Sequence, residues 1–565
     1  MKNCNWSIYN KKADFDDISK RFNISKLTAK ILCNRDIKTY DEIEKILSND
    51  LDDLNDEALL PDIDKAASAI IDDIKNKKHI RIVGDYDVDG ITSTYVLYDA
   101  LKYVDANVSF VIPNRVKDGY GINISIIEKA IEDKVDTIIT CDNGIAASNE
   151  IDYAVKNNIR VIVTDHHDIS NLPRSAYAIV DPKREDVEKK YPFKEICGCT
   201  VAWKFIIYLY KKLKIKIDVR DKYLEFAAIA TIGDIMPLTN ENHIIAKIGL
   251  EKISKTQNKG LKKILEVTNL LNKKITSYHV GFIIGPLINA SGRLKDATIA
   301  LRLFMSEDEN ETDNLANELK NLNDERKKIT EDGVDFAVDL VEKYYKEDKV
   351  FLIYINKQIE QVAGIIAGRI KEKYNKPTII LTDTIEEDVI KASCRSIEAY
   401  DIFNSLNRHK ELFLKFGGHK MAAGFSILKD NIDELRKLLN EECDLTEKDF
   451  VKKYYIDAEI PVTLINEEVI NDIEKIEPYG NGNEKPVFAT RNVKYLISNI
   501  YGENNNVIKF EIEKDEKKGR AVLFENIDLF KKNIDDKNEF DILFYPTVNE
   551  YKGYKNIDIN IIDYR

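Results

Sequence analysis

Residues 80–90 read IRIVGDYDVDG. A strand-like run, Ile80–Val83, stops at Gly84, and aspartates then take every second position: Asp85, Asp87 and Asp89. The same grammar recurs at 137–144, TIITCDNG, with Asp142, and at 161–167, VIVTDHH, with Asp165, His166 and His167. Short β-branched runs bounded by glycine and polar residues read as strands. Helical spacing fills the gaps: Ile91, Tyr95, Tyr98 and Leu101 after Gly90, then Ile124–Ile131, then Ile145–Val155. Val108–Ile112 and Ala178–Val180 add two strands. This alternation predicts a largely parallel sheet covered by helices. In such sheets ligands gather beyond the carboxyl ends of the strands. All three acidic motifs stand at those ends, so they are expected to meet although they are far apart in sequence.

Aspartates at close range repel one another and need a divalent cation, or protons, between them. Oxygen ligands with imidazole suit manganese or magnesium better than a thiolate site does. Each motif also has a plainer reading. DxDxDG resembles a calcium loop, but Val96 and Leu97 stand where its distal glutamate belongs. Asp142 with Asn143 and Gly144 makes a turn. Asp234, in AATIGDIMPL, reads alone as an ordinary aspartate at a helix end. Paired histidines at a strand end beside three aspartates point to ligation, and the coincidence of three motifs at three strand ends favours a metal centre.

The length of 565 residues suggests about three or four domains. Residues 1–60 read as short helices, with a capping box at Thr39 and Glu42 ahead of Ile43, Ile46 and Leu47. Residues 61–305 hold the α/β segment described above. Residues 306–345 are charged and free of proline, which predicts one or two long connecting helices; a solvated face is the plain account of their charge. Residues 346–447 form a second α/β unit: strands Val350–Ile355 and Thr378–Thr382, helices Val362–Lys373 and Ile432–Leu439. Residues 448–565 turn to strands, Val493–Ile500, Val507–Ile512, Ala521–Phe524, Phe540–Tyr545 and Ile557–Ile562, which suit a small barrel such as an OB fold. The fold class is therefore α/β: two α/β lobes joined by a long helix, plus a C-terminal OB-like β-barrel.

A net charge of -13 excludes a generally basic nucleic-acid coat, so any such site is a local groove. The seven cysteines include no CxxC pair, which excludes zinc-finger spacing and fits a reducing cytoplasm. MKNCNWSIYN lacks the apolar core of a signal peptide, and no apolar run reaches about 18 residues. A cytoplasmic protein without a membrane span is expected.

These residues also carry a resemblance. GDYDVDGITST, CDNG, TDHH and GDIMPL resemble, in order, the four signature motifs of DHH phosphoesterases. INASGR, VAGIIAGRIKEKY, KASCRSI and FGGHKMAAGF resemble the linker and DHH-associated domain of RecJ nucleases. EPYGNGNEKPVF and NEYKG are similar to their OB domain, and ILCNRDIKTYDEIEKIL to their helical lead-in. The likeness covers nearly the whole chain. It implies an exonuclease that hydrolyses single-stranded DNA from the 5′ end to 5′-mononucleotides, in recombination and repair, with two divalent ions, Mn2+ or Mg2+. It assigns Asp87, Asp142, His166 and Asp234 to one ion, and Asp85, sharing Asp142, to the second. Arg81 stands where related pyrophosphatases place a histidine, so the second site lacks that ligand. Asp89 is extra to the pattern and is expected to support the ligands from behind. The resemblance makes His167 a phosphate-contacting or acid/base group and Asp165 the residue that orients it. Asn289, Ser291, Arg293, Arg369, Arg395, Gly417, Gly418 and His419 are similar to the family's substrate-binding residues. The two glycines would let backbone approach a phosphate closely. Gln358 and Ile359 replace a usual Trp-His pair, and Gly368 a usual serine, which alters substrate contacts in the second lobe.

The expected partner is single-stranded DNA, with a single-strand-binding protein or a helicase as protein partners; a monomer and no membrane contact are expected. Tyr545, Tyr551 and Tyr554 are equally suited to stacking on bases or to filling the barrel. The nearest rival is a DHH phosphodiesterase of short oligonucleotides or cyclic dinucleotides, which usually lacks an OB domain. A silenced DHH fold that only binds strands is opposed by the intact ligand sets of all four motifs. A pyrophosphatase is disfavoured by the length and by the OB-like end.

Overall fold

The computed structural model describes residues 4–115, 118–357, 359–502, 504–534, 538–551 and 554–565, with side chains for all of these except 549–551, 554 and 555. The chain forms two compact units. One holds Ile8–Lys320 with Tyr455–Arg565; the other holds Asn321–Tyr454 with the described residues 4–7.

The first unit contains a five-stranded sheet in the order Val108–Val111, Ile80–Val83, Thr137–Cys141, Arg160–Thr164, Ala178–Val180, parallel throughout. Strands such as Thr137–Cys141 are buried along their whole length, as expected for a parallel sheet covered on both faces. The helix expected over Ile145–Val155 starts later, at Ser148. The reason is a tertiary contact: the Ile145 N–H donates to the Asp165 carboxylate, twenty residues on, at 2.9 Å, which holds the residues before Ser148 in a loop.

At the C-terminal end, Phe488–Tyr501 pairs with both Val507–Lys514 and Glu539–Tyr551, which closes a five-stranded barrel with Lys517–Leu523 and Tyr554–Tyr564. The first of these strands is longer than its sequence suggests. A bulge between Thr490 and Val493, with Asn492 at φ 52, bends it so that one strand serves two neighbours. Phe510, Phe530, Phe540 and Tyr564 fill the interior. Tyr545 is half-buried beneath Lys485, whose Nζ lies 3.8 Å from the ring centroid. The side chains of Tyr551 and Tyr554 lie outside those described.

Helices from the first sixty residues join this barrel. Ile18, Ile31, Ile43 and Ile46 share one apolar cluster with Phe488, Phe510 and Phe544. The capping box forms as read, with Thr39 and Glu42 each accepting the other's backbone N–H. The reading of residues 1–60 as helices alone is corrected by the strand Cys4–Ile8, which pairs with Lys452–Ile456. That strand has no periodic signal of its own, because its hydrogen-bond partner lies at the far end of the sequence.

A single helix, Glu309–Leu340, runs from the first unit into the second. The second unit has a mixed sheet in the order Phe413–His419, Ala422–Leu428, Val389–Arg395, Thr378–Asp383, Phe351–Ile355. Gln358 lies outside the described residues. Among those described, no helix is long and apolar enough to cross a membrane.

Asp457 joins the N-terminal helices to the barrel. It is buried, pairs with Arg35 at 2.8 Å, and accepts from Asn34 Nδ2 and from the Val487 N–H. Removing one partner of a buried ion pair strands the other charge, at a cost of about 3–5 kcal/mol. Asp457→Ala is expected to lose stability on that scale in denaturant unfolding followed by circular dichroism. A loss under about 1 kcal/mol, the range of an exposed pair, would show the junction to be held by apolar packing alone.

Candidate metal centre

The order of strands reverses between Ile80–Val83 and Thr137–Cys141, and such a switch point opens a crevice at the carboxyl ends. Asp85 and Asp87 leave one of these strands and Asp142 the other; Asp165, His166 and His167 follow the next. Asp234 arrives at the C-terminal end of the helix Val219–Gly233.

Local backbone fixes each group. Asp87 caps the helix Val88–Tyr103, accepting from the Asp89 and Gly90 N–H groups. Gly90 allows that turn, because a Cβ there would come within 2.6 Å of Asp85 backbone. Asp142 sits at φ 61, a left-handed conformation that aspartate tolerates better than most residues. A Cβ on Gly198 would lie 2.7 Å from Asp142 Cβ, so the helix Gly198–Leu213 must start with glycine to reach it. The N-terminal Gly198 and Cys199 N–H groups of that helix both donate to the Asp89 carboxylate at 2.7 Å, where the helix dipole favours negative charge.

The side chains converge as overlapping sets whose ligand atoms lie within 4.8 Å of one another: Asp85, Asp87 and Asp142; Asp89, His166 and Asp234; Asp142, His166 and His167. His166 Nε2 is 3.1 Å from Asp142, 3.5 Å from Asp89 and 3.7 Å from Asp234. Asp89 thus touches the imidazole directly as well as capping the helix behind it. Arg81 is turned away from the centre, paired with Asp133 at 2.9 Å and bonded to Ser109.

Burial, and then mutual repulsion, raises the Asp85 and Asp142 carboxyls well above the usual range and pushes Asp234 up to about 8. Asp89 is raised by burial too, against the opposing pull of His166. Burial lowers His166, which keeps it the neutral imidazole that a metal requires. His167 behaves oppositely. Burial works against its charge, but the 2.7 Å hydrogen bond to Asp165 prevails and carries it up to about 9. Burial favours the neutral form of Asp165; hydrogen bonds from His167 and from the Ile145 N–H outweigh it and hold the carboxylate low.

Arg293 ends the INASGR segment on the helix Gly285–Leu294. Gly292 brings that helix against the aspartate loop, since a Cβ there would meet the Tyr86 carbonyl at 2.2 Å. Asn289 is partly buried, with a buried Oδ1 that lacks a partner. Ser291, expected to contact substrate, is fully buried instead, and its hydroxyl donates to the Ile288 carbonyl. The other expected substrate residues belong to the second unit. Cross-strand register aligns Arg395, Ala422 and His419 in one row, and the Arg395 guanidinium lies against Gly364 of the helix Glu360–Tyr374. Arg369 is exposed on that helix. Gly418 is needed for strand pairing itself, because a Cβ at its φ of 146 would meet Ala423 at 2.5 Å; Gly417 has open space beside it.

Comparison with known proteins agrees with this geometry. Residues 79–231 match the DHH family N-terminal domain, 347–444 the DHHA1 domain, and 456–563 the RecJ OB domain. The single-stranded-DNA-specific exonuclease RecJ of Bacillus subtilis (strain 168) is 32% identical over 561 residues, which is 99% of this chain and 70% of that protein. The chain belongs to the RecJ family. The RecJ of Haemophilus influenzae is 29% identical across 89% of this chain and 90% of its own length. RecJ of Thermus thermophilus in complex with Mn2+ shares the fold, with a TM-score of 0.84 at 24% identity over 100% of this chain and 80% of that one. A structure of exonuclease RecJ bound to manganese is 30% identical, with a TM-score of 0.59, over 68% of this chain and 94% of that one.

The residues present fit such ions. The carboxylates crowd with raised pKa values, and Asp85 Oδ1 is buried without a hydrogen-bond partner. A buried orphan acceptor calls for a cation or a proton. The sequence reading missed two neighbours. Tyr120 donates to the Asp142 carbonyl at 2.7 Å and lies 3.3 Å from His167; it sits in an irregular loop with no periodic signal. Asp181 is buried, is pushed up to about 8 by burial and then by Asp165, and has an unpartnered Oδ2. It directly follows the strand Ala178–Val180, so the rule that found the other carboxylates would have found it.

An aspartate with a raised folded-state pKa stabilises the fold most at low pH and loses that contribution as pH climbs through the folded value. For Asp234 the window runs from 3.8 to about 8. Metal-free protein is therefore expected to melt at steadily lower temperature across that range. Added manganese should raise the melting temperature more at pH 8 than at pH 5. Calorimetry with and without chelator would show it, and an equal manganese effect at both pH values would contradict the proposed ligand set.

Proposed function

We propose that this chain is a metal-dependent hydrolase that digests single-stranded DNA from its 5′ end, releasing 5′-mononucleotides. The observation that carries the reading is the convergence of Asp85, Asp87, Asp142, His166 and Asp234 at one switch point. Membership of the RecJ family, whose named relatives are single-stranded-DNA-specific exonucleases, supports the substrate. Asp87, Asp142, His166 and Asp234 would hold one manganese or magnesium ion, and Asp85 with Asp142 a second. When bound, such a pair supplies Lewis acidity and an activated water for in-line attack on the phosphodiester.

The chain's own groups do the rest. Asp165 holds His167 charged at the rim, where its imidazolium contacts a phosphoryl oxygen or delivers a proton to the leaving oxygen. Arg293 would neutralise phosphoryl charge at the centre; within the second unit, Arg369, Arg395 and His419 would bind phosphate oxygens. Arg326, on the long helix, lies near enough to Arg369 to be lowered by burial and then by its charge. It has no carboxylate partner among the described residues, which suits an anion there. The barrel supplies a surface for single strands. A monomer acting in repair and recombination, served by a single-strand-binding protein or a helicase, completes the reading.

Digestion of 5′- and 3′-labelled single strands with manganese, magnesium or chelator tests reaction, polarity and metal together. Asp142→Ala should abolish activity with either ion; survival at ordinary manganese would exclude the centre. Faster cleavage of a dinucleotide than of a long strand would favour the short-oligonucleotide phosphodiesterase instead.

His167→Ala should slow turnover by about 10²–10⁴-fold, the usual effect of losing a general acid or base. With Asp165→Asn, the support for the imidazolium is removed. The alkaline limb of the kcat/KM profile should then fall from about 9 toward 6.5. An unmoved limb would take His167 out of the rate-limiting protonation.

A further inference from the structure

Tyr120 stands in the loop between the strand Val108–Val111 and the helix Ile124–Glu132. That loop is clamped to the turn that carries Asp142. The Ile122 N–H donates to the Asn143 side chain at 3.1 Å, and Asn143 in turn donates to the Val83 and Cys141 carbonyls. Gly121, at φ 66, lies so close that a Cβ there would come within 3.0 Å of the Asn143 Cβ. The Tyr120 ring packs edge-on against Tyr86, with 6.4 Å between centroids, and against His167, with 5.8 Å. Its hydroxyl donates to the Asp142 carbonyl at 2.7 Å. That anchor is itself held, because the Asp142 N–H donates to the Thr164 carbonyl at 3.1 Å.

A tyrosine hydroxyl has one hydrogen to give. With that hydrogen committed to Asp142, lone pairs are what Tyr120 presents to His167. Its oxygen lies 3.4 Å from Nδ1 and 3.3 Å from Nε2. A point nearly equidistant from both nitrogens ends neither N–H axis. Nδ1 is bonded to Asp165 at 2.7 Å, so Nε2 stays open to substrate. The Asp165 bond fixes only one atom of the ring, and the His167 side chain is 45% exposed. A ring held at one atom can swing about that bond. His166 flanks it at 4.5 Å, tilted by 53°, and the Tyr120 oxygen adds a polar contact shared by both nitrogens. We propose that Tyr120 is a positioning residue: its hydroxyl, anchored on the Asp142 backbone, holds the His167 ring in the orientation that turns Nε2 toward the scissile phosphate. The proposal rests on the nuclease reading and adds to it a residue that acts through His167.

The test uses the full chain and the variant Tyr120→Phe, which keeps the ring against Tyr86 and loses only the hydroxyl. With manganese and a 5′-labelled oligothymidine, kcat is expected to fall about tenfold, on the scale of one lost polar contact, with KM unchanged. In a His167→Ala background the same change should cost nothing further, since residues that act as a unit are not additive. A second readout needs no turnover. In chelator, protein labelled with carbon-13 at histidine Cε1 should show the His167 signal, identified by its loss in His167→Ala, displaced by Tyr120→Phe. A kcat within about twofold of wild type would overturn the proposal, and so would an unmoved His167 signal. An equal loss of kcat in the His167→Ala background would overturn it and make Tyr120 a support of Asp142, seen as weaker manganese binding in calorimetry. If the wild type fails to digest strands while the His167 signal moves in Tyr120→Phe, the nuclease reading fails and the hydroxyl still holds the ring. If the wild type digests them and Tyr120→Phe keeps pace, the positioning role alone fails.

Discussion

Carboxylates and one neutral imidazole share a few ångströms of buried space at the end of a parallel sheet, within 4.8 Å of one another in overlapping sets. Like charges so close, with water excluded, disfavour the ionised form. The surrounding fold makes the cluster tolerable. Helix N-termini face it: Asp87 caps one helix, and Asp89 receives the first N–H groups of another. Gly90, Gly198 and Gly292 let backbone approach where any side chain would collide. The geometry is therefore set by backbone before any ion arrives, as a preorganised metal site requires.

Two adjacent histidines divide the work because their surroundings differ. His166 is buried among the carboxylates and stays neutral, fit to ligate. His167 is half exposed and bonded to Asp165, so it carries charge at the edge of the site. Environments that push neighbouring groups in opposite directions assign opposite roles to identical side chains.

The barrel is tied to the catalytic sheet at more than one level. N-terminal helices contribute to its apolar core, and the buried Arg35–Asp457 pair fixes that junction. Its lead-in reaches the ligand loop itself: Asn481 bonds on both sides of Met236 and Pro237, to Ile235 and Leu238. The backbone that presents Asp234 is thus held partly by the domain expected to receive the strand.

The sequence by itself determined the strands, their order along the chain and the acidic motifs at their ends, because β-branched runs and turn residues are local signals. Ile80–Val83 and Ala178–Val180 could be read to the residue. It also showed the capping box at Thr39, whose partners lie three residues apart. Only the tertiary structure decided what depends on distant partners. The strand Cys4–Ile8 exists through pairing near residue 454. The helix after Gly144 starts late because Asp165 takes the Ile145 N–H. Ser291 turns inward, Asp89 reaches both a helix end and His166, and Tyr120 closes on Asp142. Periodicity reports which face of an element is apolar; it carries no information on which distant backbone group that face will meet.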